Sequence, residues 1–117
     1  MIKHDHGKLR YDLVPWEAMD LVVAGLTHGA KKYGDENWKT VAPERYLGAI
    51  GRHYSAHMQG KVMDDEGVNP SYLPHMALVC CNALFVLGLM LLKPQEKTEA
   101  QVWRESLNDD QINQLDD

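Results

Sequence analysis

The apolar positions of this chain recur in helical steps. From about Pro15 to Tyr33, the residues Met19, Val22, Val23, Leu26, Ala30 and Tyr33 return at spacings of three and four and make one apolar face. Glu17, Asp20, Thr27, His28 and Lys31 fall on the other side. Pro15 suits a first helical turn, where its missing N–H costs nothing, and Gly34 is a helix stop. A second helix is predicted from near Pro43 to near Gly60. Its face of Gly48, Gly51 and Ser55 is small enough for another backbone to come close. A third helix runs from about Tyr72 to Leu92, and Pro94 closes it. Residues 1–14 form an extended arm, Gly34–Val41 a loop holding Asn37 and Trp38, and Lys61–Ser71 a polar loop. A fourth helix around Glu96–Leu107 leads into a frayed acidic tail. No segment alternates as a strand does. The expected fold is all-α, a small bundle of about four helices, with residues 1–94 as the helical domain and 95–117 as a polar C-terminal helix and tail.

The third helix dominates the expectation for assembly. Met76–Leu92 is a 17-residue run whose one polar side chain is Asn82. A membrane span takes about 20 apolar residues. This run is shorter, carries an amide near its middle and has no strongly basic flank, so it reads as a buried core helix. Being apolar all round, it must be surrounded. Two companion helices and a polar tail do not surround it within one subunit, so a homodimer or homotetramer with this helix near the centre is expected.

Composition narrows the function. The chain of 117 residues is 44% hydrophobic and 25% charged, a globular balance. Its 12 Lys+Arg against 17 Asp+Glu give a net charge of −5, without the broad basic footprint of a nucleic-acid binder. Its two cysteines, Cys80 and Cys81, are adjacent and cannot staple distant segments. The N-terminus carries no apolar signal region. These features predict a cytoplasmic protein with neither nucleic acid nor membrane as its partner.

The candidate chemistry lies in a few residues. His53 and His57 are four apart on one face of the second helix, but the stretch between them lacks the glutamate of a zinc-protease motif, and two imidazoles alone make no metal site. His75 opens the third helix, and Asn82 lies seven residues on, on the same face. A bare amide in an apolar helix costs about 1–3 kcal/mol, so Asn82 has a partner. That partner is another helix, a second subunit or a ligand in a polar pocket. Asp64, Asp65 and Glu66 are consecutive carboxylates. They are either a solvated loop or hard oxygen donors for Mg²⁺ against phosphates. Glu17 and Asp20 could add further oxygens or merely answer the helix dipole. Arg45 and Arg52 share one face of the second helix, and Lys8 and Arg10 lie beside Gly7. Such cations meet either the chain's own acids or a phosphate. The Gly-Lys pair does not belong to a Walker loop.

Several blocks carry a resemblance. They are Gly7-Lys8-Leu9-Arg10-Tyr11-Asp12-Leu13-Val14-Pro15, Glu17, Gly29-Ala30-Lys31-Lys32-Tyr33-Gly34 and Asn37-Trp38. Arg45-Tyr46-Leu47, Arg52-His53, Asp64 with Glu66, Pro74-His75 and Asn82-Ala83-Leu84-Phe85 follow in order. Over residues 3–92 the chain resembles the phage dATP/dGTP diphosphohydrolase N-terminal domain family, of the MazZ type. The resemblance implies a MazG-like pyrophosphohydrolase that cleaves a purine deoxynucleoside triphosphate (dGTP or dATP) to monophosphate and pyrophosphate with Mg²⁺ or Mn²⁺. On that reading Glu17, Asp64 and Glu66 hold metal, and Lys8, Arg10, Arg45 and Arg52 take phosphates. The base lies against Trp38 or Tyr33, Asn37 and Asn82 also contact substrate, and His53, His75 and Glu66 serve catalysis, a histidine as the proton shuttle. One departure stands out. MazG enzymes carry ExxE on one helix and ExxD on the next, whereas here there is only Glu17-x-x-Asp20, with His75 and Asn82 where acids are expected. The alternative is a non-catalytic oligomer that sequesters a nucleotide.

Overall fold

A computed structural model describes residues 7–92, 98–108 and 110. It is all-α: α1 spans Trp16–Tyr33, α2 Pro43–Met58, α3 His75–Leu92 and α4 Glu99–Glu105. Short 3₁₀ turns occupy Tyr11–Leu13 and Asn37–Thr40, inside the expected arm and the expected loop. The described residues from Pro15 to Leu92 form one compact helical unit, and the arm and the C-terminal stretch belong to a second. The expected starting residue of the last helix, the closing Pro94 and most of the acidic tail lie outside the described residues.

Local chemistry sets the helix ends. Pro15 precedes α1, Glu17 sits in its first turn, and Lys31 and Lys32 sit in its last, each complementing the helix dipole. Gly34 then takes φ +94°, a conformation L side chains avoid, and donates its N–H to the Ala30 carbonyl at 2.7 Å. Pro43 occupies the first turn of α2. Thr98 caps α4 reciprocally with Gln101: its hydroxyl accepts from the Gln101 N–H, and its own N–H donates to the Gln101 side chain.

The third helix starts later than the sequence suggests. Tyr72 has φ +59° and Asn69 φ +54°, so the chain is still turning there. Asp64 N–H donates to the Leu73 carbonyl, Tyr72 N–H to the Asp64 carbonyl and His75 N–H to the Val62 carbonyl, each at 2.8 Å. This miniature antiparallel pairing, centred on Met63 and Pro74, spends the backbone groups of 72–75 before the helix begins.

α3 packs between α1 and α2 by means of small residues. Gly25 on α1 is buried, and a Cβ built there would lie 2.6 Å from Cys81 Sγ. The Cys81 thiol donates to the Val22 carbonyl at 3.1 Å. Burial, and then the neighbouring Cys80, push that thiol up to about 11, so it stays protonated as a donor. On α3 itself, a Cβ at Gly88 would meet the Trp38 ring at 2.8 Å. Val22, Ala77, Cys81 and Leu89 make the buried core.

Within one chain α3 is not enclosed, in keeping with the expectation that its companions in one subunit do not surround it. Leu84, Leu87 and Leu91 are 42%, 53% and 80% exposed. On α1, Val23 and Tyr33 also turn outward rather than joining the expected apolar face. With a mean hydropathy of 2.2 over 18 residues, α3 meets the length and composition needed to cross a membrane. The same composition belongs to a helix that packs on its neighbours through glycines, as this one does.

Candidate functional site

An open cleft of about 1080 Å³ runs between α1, α2 and α3. Its rim is made by the 34–41 segment and by the loop from Asp64 to Ser71. Tyr33, Asn37 and Trp38 line one part of it. Arg45, Arg52 and His53 line another, and Asp64, Glu66 and Asn82 complete it. Helix periodicity brings residues 45, 52 and 53 from α2 to the cleft, and the backbone pairing of 62–64 with 72–75 carries Asp64 toward the start of α3.

The histidines meet. His53 Nδ1 and His75 Nδ1 lie 2.8 Å apart, with ring centroids at 5.1 Å and planes tilted by 40°. Two bare ring nitrogens would repel at that distance, so one carries the proton that the other accepts. Burial lowers the pKa of His53, and the nearby His75 and Arg52 lower it further, against an opposing pull from Asp64. One proton therefore lies between the two rings, and His53 resists taking up a second ring proton. His57 does not join the pair, and its Nδ1 is enclosed with no hydrogen-bond partner among the described residues.

Asp64 is half-buried beside the pair. Its Oδ2 accepts from the Ser71 N–H at 3.1 Å and the Ser71 hydroxyl at 2.7 Å. Burial pushes this carboxyl up, but the Ser71 bonds and the two imidazoles outweigh it and hold it below the usual carboxylate range. The sequence reading missed Ser71. Its one signal is the turn pair Asn69-Pro70, which reverses the chain and returns residue 71 to residue 64.

Arg45 and Arg52 are exposed, and neither is paired with a carboxylate among the described residues. Arg52 also borders a second, shallow groove of about 470 Å³ along the small-residue face of α2, with Ser55, Gln59 and Lys61. A Cβ at Gly48 would lie 3.3 Å from Arg52 Nη1, so the glycine leaves room for the guanidinium to lie along its helix.

The remaining expected residues have contacts of their own. Trp38 is not an open platform: it stacks on Phe85 at 5.8 Å, rests over Gly88, and its carbonyl accepts from the Tyr46 hydroxyl at 3.3 Å. Tyr46 tilts against Phe85 at 4.9 Å, and the three rings form one wall. Tyr33 is 62% exposed, with the Lys32 ammonium 5.2 Å from its ring. Asn82 finds its partner in its own helix, not in another one: Nδ2 donates to the Leu78 carbonyl at 2.7 Å. Lys8 and Arg10 belong to the terminal unit, where Arg10 bonds Asp12 at 2.7 Å.

The expected carboxylate set for Mg²⁺ is not assembled. Glu17 is exposed in the first turn of α1 and does not line the cleft. Glu66 is 78% exposed and 4.0 Å from the Lys61 ammonium. Among the described residues no three His, Cys, Asp or Glu side chains gather as a metal centre. The donors present do not fit a resident ion held by Glu17, Asp64 and Glu66 together.

Residues 2–99 match the family described as dATP/dGTP diphosphohydrolase, N-terminal. A dATP/dGTP diphosphohydrolase of Salmonella phage PMBT28 is 31% identical over 93 residues, covering 80% of this chain. The matched segment is 31% of that relative's own length. No solved structure matches. The match spans α1, α2 and α3 and every residue of the cleft, and on it the chain belongs to the dATP/dGTP diphosphohydrolase N-terminal family.

Proposed function

We propose that the cleft binds a purine deoxynucleoside triphosphate and cleaves it to the monophosphate and pyrophosphate. The observation that carries this reading is an imidazole pair sharing a proton beside two arginines that have no carboxylate partner among the described residues. Arg45 and Arg52 take the phosphates. In the His53–His75 pair, the ring that donates from Nδ1 keeps a free Nε2 lone pair; this accepts a proton as water attacks the α-phosphorus, and the pyrophosphate group leaves with the bonding electrons. Asp64, fixed by Ser71, keeps a negative charge near the pair as it becomes cationic. Mg²⁺ or Mn²⁺ arrives with the triphosphate as part of the substrate, since the carboxylates among the described residues do not gather to hold one.

A second reading is favoured by that same scattering of carboxylates: a protein that holds the nucleotide without turning it over. Incubating the full chain with each deoxynucleoside triphosphate and Mn²⁺, then separating the products, decides between them. Monophosphate and pyrophosphate support the enzyme, and recovery of intact bound nucleotide supports the sequestering protein. Arg52→Ala is expected to weaken triphosphate binding by about 1.5–3 kcal/mol with helical content unchanged. Parent-like binding by this variant would remove the phosphate role.

The chain is further proposed to act in the cytoplasm as a homodimer or homotetramer that covers Leu84, Leu87 and Leu91 of α3. Three exposed leucines on one apolar helix favour self-association. Sedimentation is expected to show at least a dimer at micromolar concentration, and a stable monomer there would refute the assembly.

A further inference from the structure

We infer that Lys32 holds the far end of the ligand's phosphate chain, the part that leaves as pyrophosphate, gripping it across the cleft from Arg45. The inference rests on the proposed nucleotide function and concerns which way the ligand lies in that same cleft.

The two walls come first. α1 and α2 each pack on α3, and the cleft lies between them, with Leu78, Asn82 and Phe85 of α3 in its lining. Lys32 stands in the last turn of α1 and Arg45 in the first turn of α2, and both line the cleft. The chain passes from one helix to the other through residues 34–42, so the two cations share the end of the cleft that this connection borders. Successive side chains on a helix point about 100° apart, and Lys31, in the same turn as Lys32, does not line the cleft. Lys39 does not line it either and pairs with Glu36.

The charge on Lys32 is open to a ligand. Among the described residues no carboxylate lies within ion-pair distance of its ammonium, and that includes Asp35, which borders the same cleft. The ammonium is 5.2 Å from the Tyr33 ring, a contact that leaves its full charge in place. His28, one turn back on the same face, also lines the cleft and presents a ring N–H that can donate to a phosphate oxygen.

The proposed reaction sets the direction. Attack at the α-phosphorus places that phosphate beside His53, and Arg52 adjoins His53 on α2. Arg45 lies two turns, about 10 Å, nearer the start of that helix. Around His53 the cleft is bordered by Asp64 and by Glu66 of the same loop, whose charge repels further phosphates. The β- and γ-phosphates therefore run the other way, toward Arg45 and, on the facing wall, Lys32. As the bond from the α-phosphorus to its bridging oxygen breaks, negative charge gathers on the departing pyrophosphate, and cations at that end stabilise it. Tyr33 and Trp38 stand at this same end, so this direction leaves the base elsewhere than the resemblance implied.

Calorimetric titration of the full chain with dGTP, dGMP and inorganic pyrophosphate tests this, without divalent metal so that the nucleotide stays intact. Lys32→Ala is expected to lower the affinity for dGTP and for pyrophosphate about tenfold or more. Its affinity for dGMP should stay at the parental level, which also reports that the cleft is folded. Lys31→Ala should bind all three as the parent does, although it removes the same charge from the same turn. Parental binding of dGTP and pyrophosphate by Lys32→Ala overturns the inference. An equal loss in Lys31→Ala overturns it too, by showing that only total charge matters, and so does a loss of dGMP affinity as large as that of dGTP. Each of these three results leaves the nucleotide reading standing. A parent that binds neither dGTP nor pyrophosphate overturns that reading and this inference together.

Discussion

Replacement of His53 by alanine is expected to lower turnover of a purine deoxynucleoside triphosphate by about 10²-fold or more, with a smaller change in binding. The variant loses one of two ring nitrogens that share a proton at 2.8 Å. Its neighbour His75 remains but has lost the acceptor or donor that fixed its tautomer. Single-turnover rates at saturating nucleotide measure the effect apart from affinity, and circular dichroism checks that α2 persists. Turnover at the parental rate would move the proton transfer to another group. The pH profile is a second readout. Burial, then His75 and Arg52, disfavour protonation of His53 below the ordinary histidine value of 6.5. The acid limb of turnover should therefore fall below pH 6.5, because the pair keeps a free lone pair to lower pH than a solvated imidazole does. Stability has a matching signature. As pH drops through and below 6.5, the unfolded chain takes up protons that the folded pair refuses, so the fold loses stability. His53→Ala should flatten that loss.

Replacement of Gly88 by valine is expected to cost about 1–3 kcal/mol or to shift Trp38 out of its place. Even a single Cβ there would stand 2.8 and 3.0 Å from two atoms of the Trp38 ring. The ring has little freedom to retreat, since it stacks on Phe85 and its backbone is tied to Tyr46. Chemical denaturation followed by Trp fluorescence measures both outcomes. Gly51→Ala is the control. It also lies inside a helix, but a Cβ there meets nothing within 4 Å. Its expected effect is a gain of about 0.5–1 kcal/mol, because alanine has the better helix propensity. Equal effects at the two glycines would show that Gly88 is not a packing glycine.

The sequence makes the three long helices legible because each is a sustained pattern with its own stop. The Gly34 stop and the Pro43 start fall at or next to the observed ends. The start of α3 was not legible. Its delay depends on Tyr72 taking a positive φ, and that conformation is imposed by pairing with residues 62–64, a contact that no local pattern announces. Gly25 and Gly88 were silent for a related reason. A residue without a side chain adds nothing to an apolar stripe, yet it is where helices touch. In the site, motif reading collected Arg45, Arg52, His53, Asp64 and Asn82 onto one cleft. It misplaced Glu17, which stands off the cleft, and gave no sign that Glu66 borders the cleft exposed while Asp64 is half-buried, since carboxylates look alike along the chain. Trp38 does line the cleft, but a loop aromatic gives no sign in the sequence that Phe85 and Gly88 pack against it.

The small backbone pairing that joins 62–64 to 72–75 has a consequence for how such a chain can change over time. The stem is closed by main-chain bonds, whose donors and acceptors do not depend on side-chain identity. His75 is registered by the stem, through its own N–H to Val62. The stretch from Asp65 to Pro70 is thus a tethered excursion whose length is decoupled from the placement of the imidazole. Lengthening a closed excursion is cheap, about 0.6 kcal/mol for each doubling. Insertions and deletions between residues 65 and 70 can reshape the mouth of the cleft, and with it the ligands admitted, while the proton-sharing pair stays in register.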